Sequence, residues 1–202
     1  MSTTTLIVSA AAVVAVVVIV MLVVRARRRR ALRSRFGPEY DRAVAESGSS
    51  TKAEKMLDER VKRRQALDIH ELDPMQRQRY SQSWQSVQAH FVDDPRGAVR
   101  DADQLVGGVM RDRGYPTEGF EQQAGDLSVD HAGVMENYRK AHEISLRNDR
   151  NEATTDDLRQ AMVHYRALFQ ELLGEQPGAG QDASTVNREM RSEPQAGRRE
   201  VG

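Results

Sequence analysis

The sequence predicts an all-α protein: an N-terminal single transmembrane helix, then a charged stalk, then a small helical bundle of about four main helices. Three observations lead there. An uncharged apolar run of 19 residues, 6–24, ends abruptly in arginine. Further along, apolar residues recur at spacings of three and four, as one face of a helix requires. Nothing alternates with period two for long enough to form a sheet.

The first element follows from length. At about 1.5 Å rise per residue, 19 residues of helix cover roughly 28 Å, close to the hydrocarbon thickness of a bilayer. Val, Ala, Ile and Leu occupy every face of the run, so no polar stripe is left for water. A short extracytoplasmic N-terminus, 1–5, precedes it. Signal peptides carry basic residues before a shorter apolar core and small residues after it; here MSTTT has no basic residue and the core ends directly in Arg25. A cleaved signal, which would make this a secreted helical protein, is the rival expectation.

Arg25, Arg27, Arg28, Arg29, Arg30, Arg33 and Arg35 follow the run at once. Basic residues this close to a span stay on the cytoplasmic side. The expected location is therefore a plasma membrane, with the N-terminus outside and the C-terminal domain cytoplasmic. The same cluster attracts anionic lipid headgroups, so lipid is the first expected partner. From 25 to 67 the sequence predicts a basic juxtamembrane segment and a solvated helical stalk, with Glu59 and Arg63 among its helical charge spacings and a hinge at Ser47, Gly48, Ser49 and Ser50.

A bundle domain is expected over 68–173. Asp73 caps a helix opened by Pro74, and Tyr80, Trp84, Val87 and Phe91 form its apolar stripe. The only Trp in such a stripe reads as a core anchor, with a ligand groove as the alternative. Asp94 and Pro95 repeat the start signal for a helix that places Ala98, Ala102, Leu105 and Val109 on one side and ends at Gly114 and Pro116. Gly107 and Gly108 inside it lower helix propensity by about 2 kcal/mol together, which calls for close approach by another backbone or a kink. A short helical piece near Phe120 to Leu127 comes next. Ser128 is then expected to cap a helix with Val134, Tyr138, Ala141 and Ser145 on one face, which breaks at Asn148 to Asn151. Thr154 opens the last helix, with Leu158, Met162, Tyr165, Phe169 and Leu172 inward and acidic residues in its first turn. From 174 to 202 the chain is rich in Gly, Pro, Ser, Gln and charge, and a disordered tail is expected.

Composition excludes more than it identifies. The formal charge is zero, but residues 68–173 hold 19 Asp and Glu against 12 Lys and Arg. An acidic body repels phosphate backbones, so nucleic acid is not an expected partner. Without Cys there is no disulfide, thiolate nucleophile or cysteine-ligated zinc. His131 and His142 lie about 16 Å apart along a helix, too far to share a metal ion. HEL at 70–72 and HEI at 142–144 lack the second histidine of a zinc-protease helix. Asp93 with Asp94 and Asp101 with Asp103 are carboxylate pairs, but residues two apart on a helix point in different directions and Asp94 is better used as a cap. No catalytic, cofactor-binding or metal-binding residues are assigned. The expected function is display of a helical interaction or scaffolding module, with an unidentified protein partner and no catalysis. A ligand-binding or enzymatic bundle, with a pocket near Gly107 and His142, is a further alternative.

The stretches FVDDPRGAV, DADQLV, VMRDRGYP, LSVDHAGVMENYRKAH and LRQAMVHYRALFQELL resemble a recurrent bacterial family of membrane-anchored, all-helical proteins with no assigned activity. The resemblance covers roughly 68–173. It implies a bacterial source, as does the excess of 26 Arg over 4 Lys, and a folded domain, and it carries over no functional residue.

Overall fold

The computed structural model describes residues 3–174, with their side chains from residue 12 onward. Among the described residues are eight α-helices: α1 (Thr3–Phe36), α2 (Pro38–Ser47), α3 (Ser50–Gln65), α4 (Pro74–Asp93), α5 (Pro95–Asp112), α6 (Phe120–Leu127), α7 (Met135–Asp149) and α8 (Thr155–Leu173). A 3-10 turn, Ala132–Val134, leads into α7. The chain divides into two compact units, one formed by Met1–His70 with Arg113–Arg139, the other by Glu71–Asp112 with Lys140–Gly202.

In the first unit α1 runs without a break until Gly37 takes φ +49°, a conformation costly for any side chain, and Pro38 starts α2. Gly48, at φ +66°, closes α2 and donates its N–H to the Val44 carbonyl. Leu32 and Phe36 of α1, Tyr40 and Ala43 of α2, Ala53 and Leu57 of α3 and Val129 form one buried cluster. Charge is buried with it. Glu39, 5% exposed, accepts from Arg139 Nε at 3.3 Å and Nη2 at 3.1 Å, while Arg60 approaches it at 3.9 Å. Burial lowers the Arg60 pKa and the Glu39 charge works against that fall. Burial also opposes the Arg139 charge, but hydrogen bonds and charge attraction from Glu39 and Glu121 together outweigh it and its pKa is raised. Fully buried Asp126 accepts from Arg63 Nε at 2.6 Å.

The second unit is built on α5, against which both α4 and α8 pack. Ala98, Val99, Ala102, Val106, Val109 and Met110 of α5 are all buried. Asp73 and Gln76 make a reciprocal capping box at the start of α4, and Thr154 and Asp157 do the same for α8. Asp94 opens α5 by accepting the Gly97 N–H at 2.9 Å. Trp84 stacks on Phe169 with centroids 4.8 Å apart and planes at 22°. Tyr165 donates to Asp103 at 2.7 Å and Tyr80 to Asp112 at 2.9 Å. Of the expected inner stripe, Trp84, Tyr138, Tyr165 and Phe169 are buried, whereas Phe91 and Leu105 are half-buried.

No second backbone comes close to the glycine pair of α5. A Cβ on Gly108 would lie 3.4 Å from the Tyr80 hydroxyl, an ordinary contact, and one on Gly107 would meet nothing within 4 Å. Gly107→Ala should therefore stabilise the protein by about 1 kcal/mol, the helix-propensity difference alone. Urea unfolding followed by circular dichroism checks this, and an unchanged or lower midpoint would mean that the backbone needs glycine here.

Several expectations are corrected. The single transmembrane helix over 6–24 is not supported: among the described residues no helix is long and apolar enough to cross a membrane. Within α1 the uncharged run with described side chains is 12–24, thirteen residues or about 20 Å of helix, and Arg25 follows in the same helix. Residues 6–11 of the expected span lie outside those whose side chains are described, as residues 1–2 and all of the expected 174–202 tail except Gly174 lie outside the described chain. The solvated stalk of 25–67 is instead three packed helix segments with a core of their own, and the Gly/Ser hinge is a tight turn between two of them. Over 68–173 the structure has four long helices, α4, α5, α7 and α8, and the short α6, but residues 113–139, expected in one domain with the rest of that range, group with the first unit. Ser128 does not cap α7. Its hydroxyl donates to the Gly125 carbonyl at 2.7 Å, finishing α6, and α7 starts at Met135.

Candidate functional site

The strongest functional signal is the place where α1 changes from apolar to basic. From Val13 to Val24 its large apolar side chains are 47–71% exposed on every side of the helix. Eleven Val, Ile, Met and Leu side chains stand in this run, far beyond the scattered apolar residues normal for a protein surface.

The seven arginines that follow divide by helix face. Arg25, Arg28, Leu32 and Phe36 are spaced three, four and four apart, one stripe, and it faces the first unit. Arg25 donates from Nη2 to Thr51 Oγ1 at 2.6 Å, and Arg28 pairs with Asp58 of α3. Two neighbours of that stripe reach other partners. Arg33 pairs with Asp41 of α2 at 3.1 Å, and Arg35 donates from Nε to the Val129 carbonyl at 3.2 Å and stands 3.7 Å from Asp130. Four of the seven thus bind the helix to its own unit. Arg27, Arg29 and Arg30 are exposed and have no carboxylate within ion-pair distance among the described residues. Arg27 and Arg30, three apart, share a face turned away from the core stripe.

A cavity of about 710 Å³ opens where the two halves of α1 meet α3. Met21, Leu22 and Val24 line one side, and Arg25, Arg28, Thr51, Lys55 and Asp58 supply polar groups around them. A smaller hollow beside it is bordered by Leu22, Arg25, Arg29 and Arg30. Glu54 also lines the larger cavity, which therefore carries both signs of charge, with apolar carbon and the Arg25 and Arg28 guanidinium groups adjoining within about one helical turn.

The carboxylate pairs are separated in use, as helical spacing requires. Asp94 caps α5, Asp101 meets His90 Nδ1 at 2.8 Å and Asp103 takes the Tyr165 hydroxyl. Gly107 and His142 border neither of the two cavities just described. Among the described residues no group of three or more His, Asp or Glu is placed to hold a metal ion. Sequence reasoning found the arginine cluster but not its division into four tethering and three outward side chains. The spacing of Leu32 and Phe36 fixes the inner face and sets Arg27 and Arg30 opposite it, but it also puts Arg29, three before Leu32, on that inner face, so it does not give the division by itself. No family model, curated protein or solved structure matches the chain.

Proposed function

We propose that this protein is a lipid-attached helical interaction module, held at an anionic membrane surface by α1 and without catalysis of its own. The observation that carries the reading is the apolar half of α1, bare on every side, with three outward arginines immediately after it. Transfer of eleven large apolar side chains from their present exposure into an acyl layer is worth on the order of 10 kcal/mol. An amphipathic helix lies flat at an interface, but this segment has no polar face to leave in water and enters end-on. The reading asks for insertion into the apolar layer and not for a helix that crosses it. Arg27, Arg29 and Arg30 then sit at headgroup level, where the anionic cytoplasmic leaflet is the favoured surface. Four helical segments of the first unit and the helices of the second are thereby presented to protein partners.

Flotation of the full chain with phosphatidylcholine vesicles and with vesicles containing phosphatidylglycerol tests the proposal. The protein should float with both and more strongly with the anionic ones, the difference shrinking as salt is raised. A chain left at the bottom of the gradient with both lipids at low salt would refute it.

A further inference from the structure

A second surface, unrelated to lipid, lies in the second unit between α4 and α8. Trp84 and Phe91 of α4 and Met162 and Val163 of α8 line a groove of about 170 Å³, the scale of one large side chain, and Gln88, Arg159 and Arg166 rim it. Trp84 is buried, yet its indole N–H has no hydrogen-bond partner, and buried donors are rarely left so. Val163, by contrast, is 63% exposed at the groove. The rim runs against the charge of its surroundings: residues 71–112 and 140–174 contain thirteen Asp and Glu against ten Lys and Arg, but the groove is flanked by two arginines and no carboxylate lines it. Arg159 is engaged only by exposed Asp156, three residues away, and Arg166 has no ion-pair partner among the described residues.

We propose that this groove docks an acidic helical segment of a partner protein, which inserts one bulky apolar side chain between Trp84 and Met162 and sets carboxylates against Arg159 and Arg166. Charge complementarity selects the occupant. The two arginines are seven residues apart on α8, about 10 Å along its axis, which matches two carboxylates seven apart on a facing helix with the apolar residue midway between them. Such a pattern anchors the centre with one desolvated side chain and fixes register with paired charges at the rim, the usual division of labour at a docking site.

The chain has a single Trp, and it lies in this groove, so its emission reports occupancy directly. The full chain in zwitterionic detergent is titrated with an alanine-based helical peptide carrying Glu at two positions seven apart and Leu midway. A saturable change in Trp84 emission is expected, weakened about tenfold or more when the peptide's Glu are replaced by Lys, when its Leu is replaced by Ala, or when the protein carries R159E with R166E. Both arginines are exposed, so the double variant should keep its unfolding midpoint, and Val163→Asp gives a second block of the groove that leaves the arginines in place. No emission change, equal binding of the Lys peptide, or full binding by the double variant would overturn the proposal. So would an emission that changes with protein concentration alone, which assigns the groove to a second copy, or one that changes on removal of residues 175–202, which assigns it to the chain's own end.

Discussion

Replacing Arg27, Arg29 and Arg30 together by Gln should lower partitioning onto anionic vesicles by about a hundredfold while leaving the unfolding midpoint in place. Each basic residue near an anionic surface is worth about 1 kcal/mol, and these three have no internal partner to lose. Partitioning onto phosphatidylcholine should hardly change, because the apolar half of α1 is untouched. Arg33→Gln and Arg35→Gln are the informative controls. Their guanidinium groups reach Asp41 and the Val129 carbonyl, so little loss of lipid binding is expected from them, with a stability loss under about 1 kcal/mol for the exposed Arg33 pair and a larger one for part-buried Arg35. A triple variant that keeps more than about a third of its anionic-lipid affinity would mean that the outward arginines do not face headgroups, and the attachment would then rest on apolar insertion alone.

The second large effect concerns Glu39. Its carboxylate is the shared partner of Arg139 and Arg60, whose side chains are 11% and 12% exposed. Among the described residues, Glu39→Gln leaves Arg60 without a carboxylate within 4 Å and Arg139 with only the exposed Glu121 at 3.3 Å, and breaking a buried pair by removing one member costs about 3–5 kcal/mol. That is a large share of the 5–15 kcal/mol roughly typical of whole proteins, so a clearly lowered unfolding midpoint is expected for the first unit. Urea unfolding and amide hydrogen exchange over α1, α2 and α3 read it out. Arg42→Gln, which removes a half-exposed pair with Glu46, should cost less than about 1 kcal/mol. Equal effects from the two substitutions would show that the Glu39 cluster is wetter than its burial indicates.

These two charge groups also show which parts of the molecule were legible beforehand. The second unit was read well because its signals are local: Asp73 and Thr154 cap, Asp94 with Pro95 starts a helix, and Trp84, Tyr165 and Phe169 recur at helical spacing. The first unit was misread because its signals are not local. Leu32, Phe36, Tyr40 and Ala43 are spaced four, four and three apart, but arginines surround the first two and Gly37 interrupts the row, so average polarity pointed to a solvated stalk. Glu39 and Glu54 lie in the stretch expected to be a solvated stalk, and partners 100 and 14 residues away, Arg139 and Tyr40, hold them in the interior. The arginine cluster was legible as a cluster. Its use was not, since Asp58, Asp41 and Val129, which claim three of its members, are brought there by tertiary structure.

The unbroken course of α1 from Thr3 to Phe36 has a mechanical consequence. A hydrogen-bonded helix resists twisting and bending over this length far better than a linker, so its two ends turn together. Any tilt or rotation imposed on its apolar end passes as torque through Arg25 and Arg28 to Leu32 and Phe36, deep in the first unit, with no swivel in between to dissipate it. A change in the angle at which the apolar end is held would therefore be felt as a change in load on that unit's core, and the helix acts as a drive shaft where a tether would have absorbed the strain.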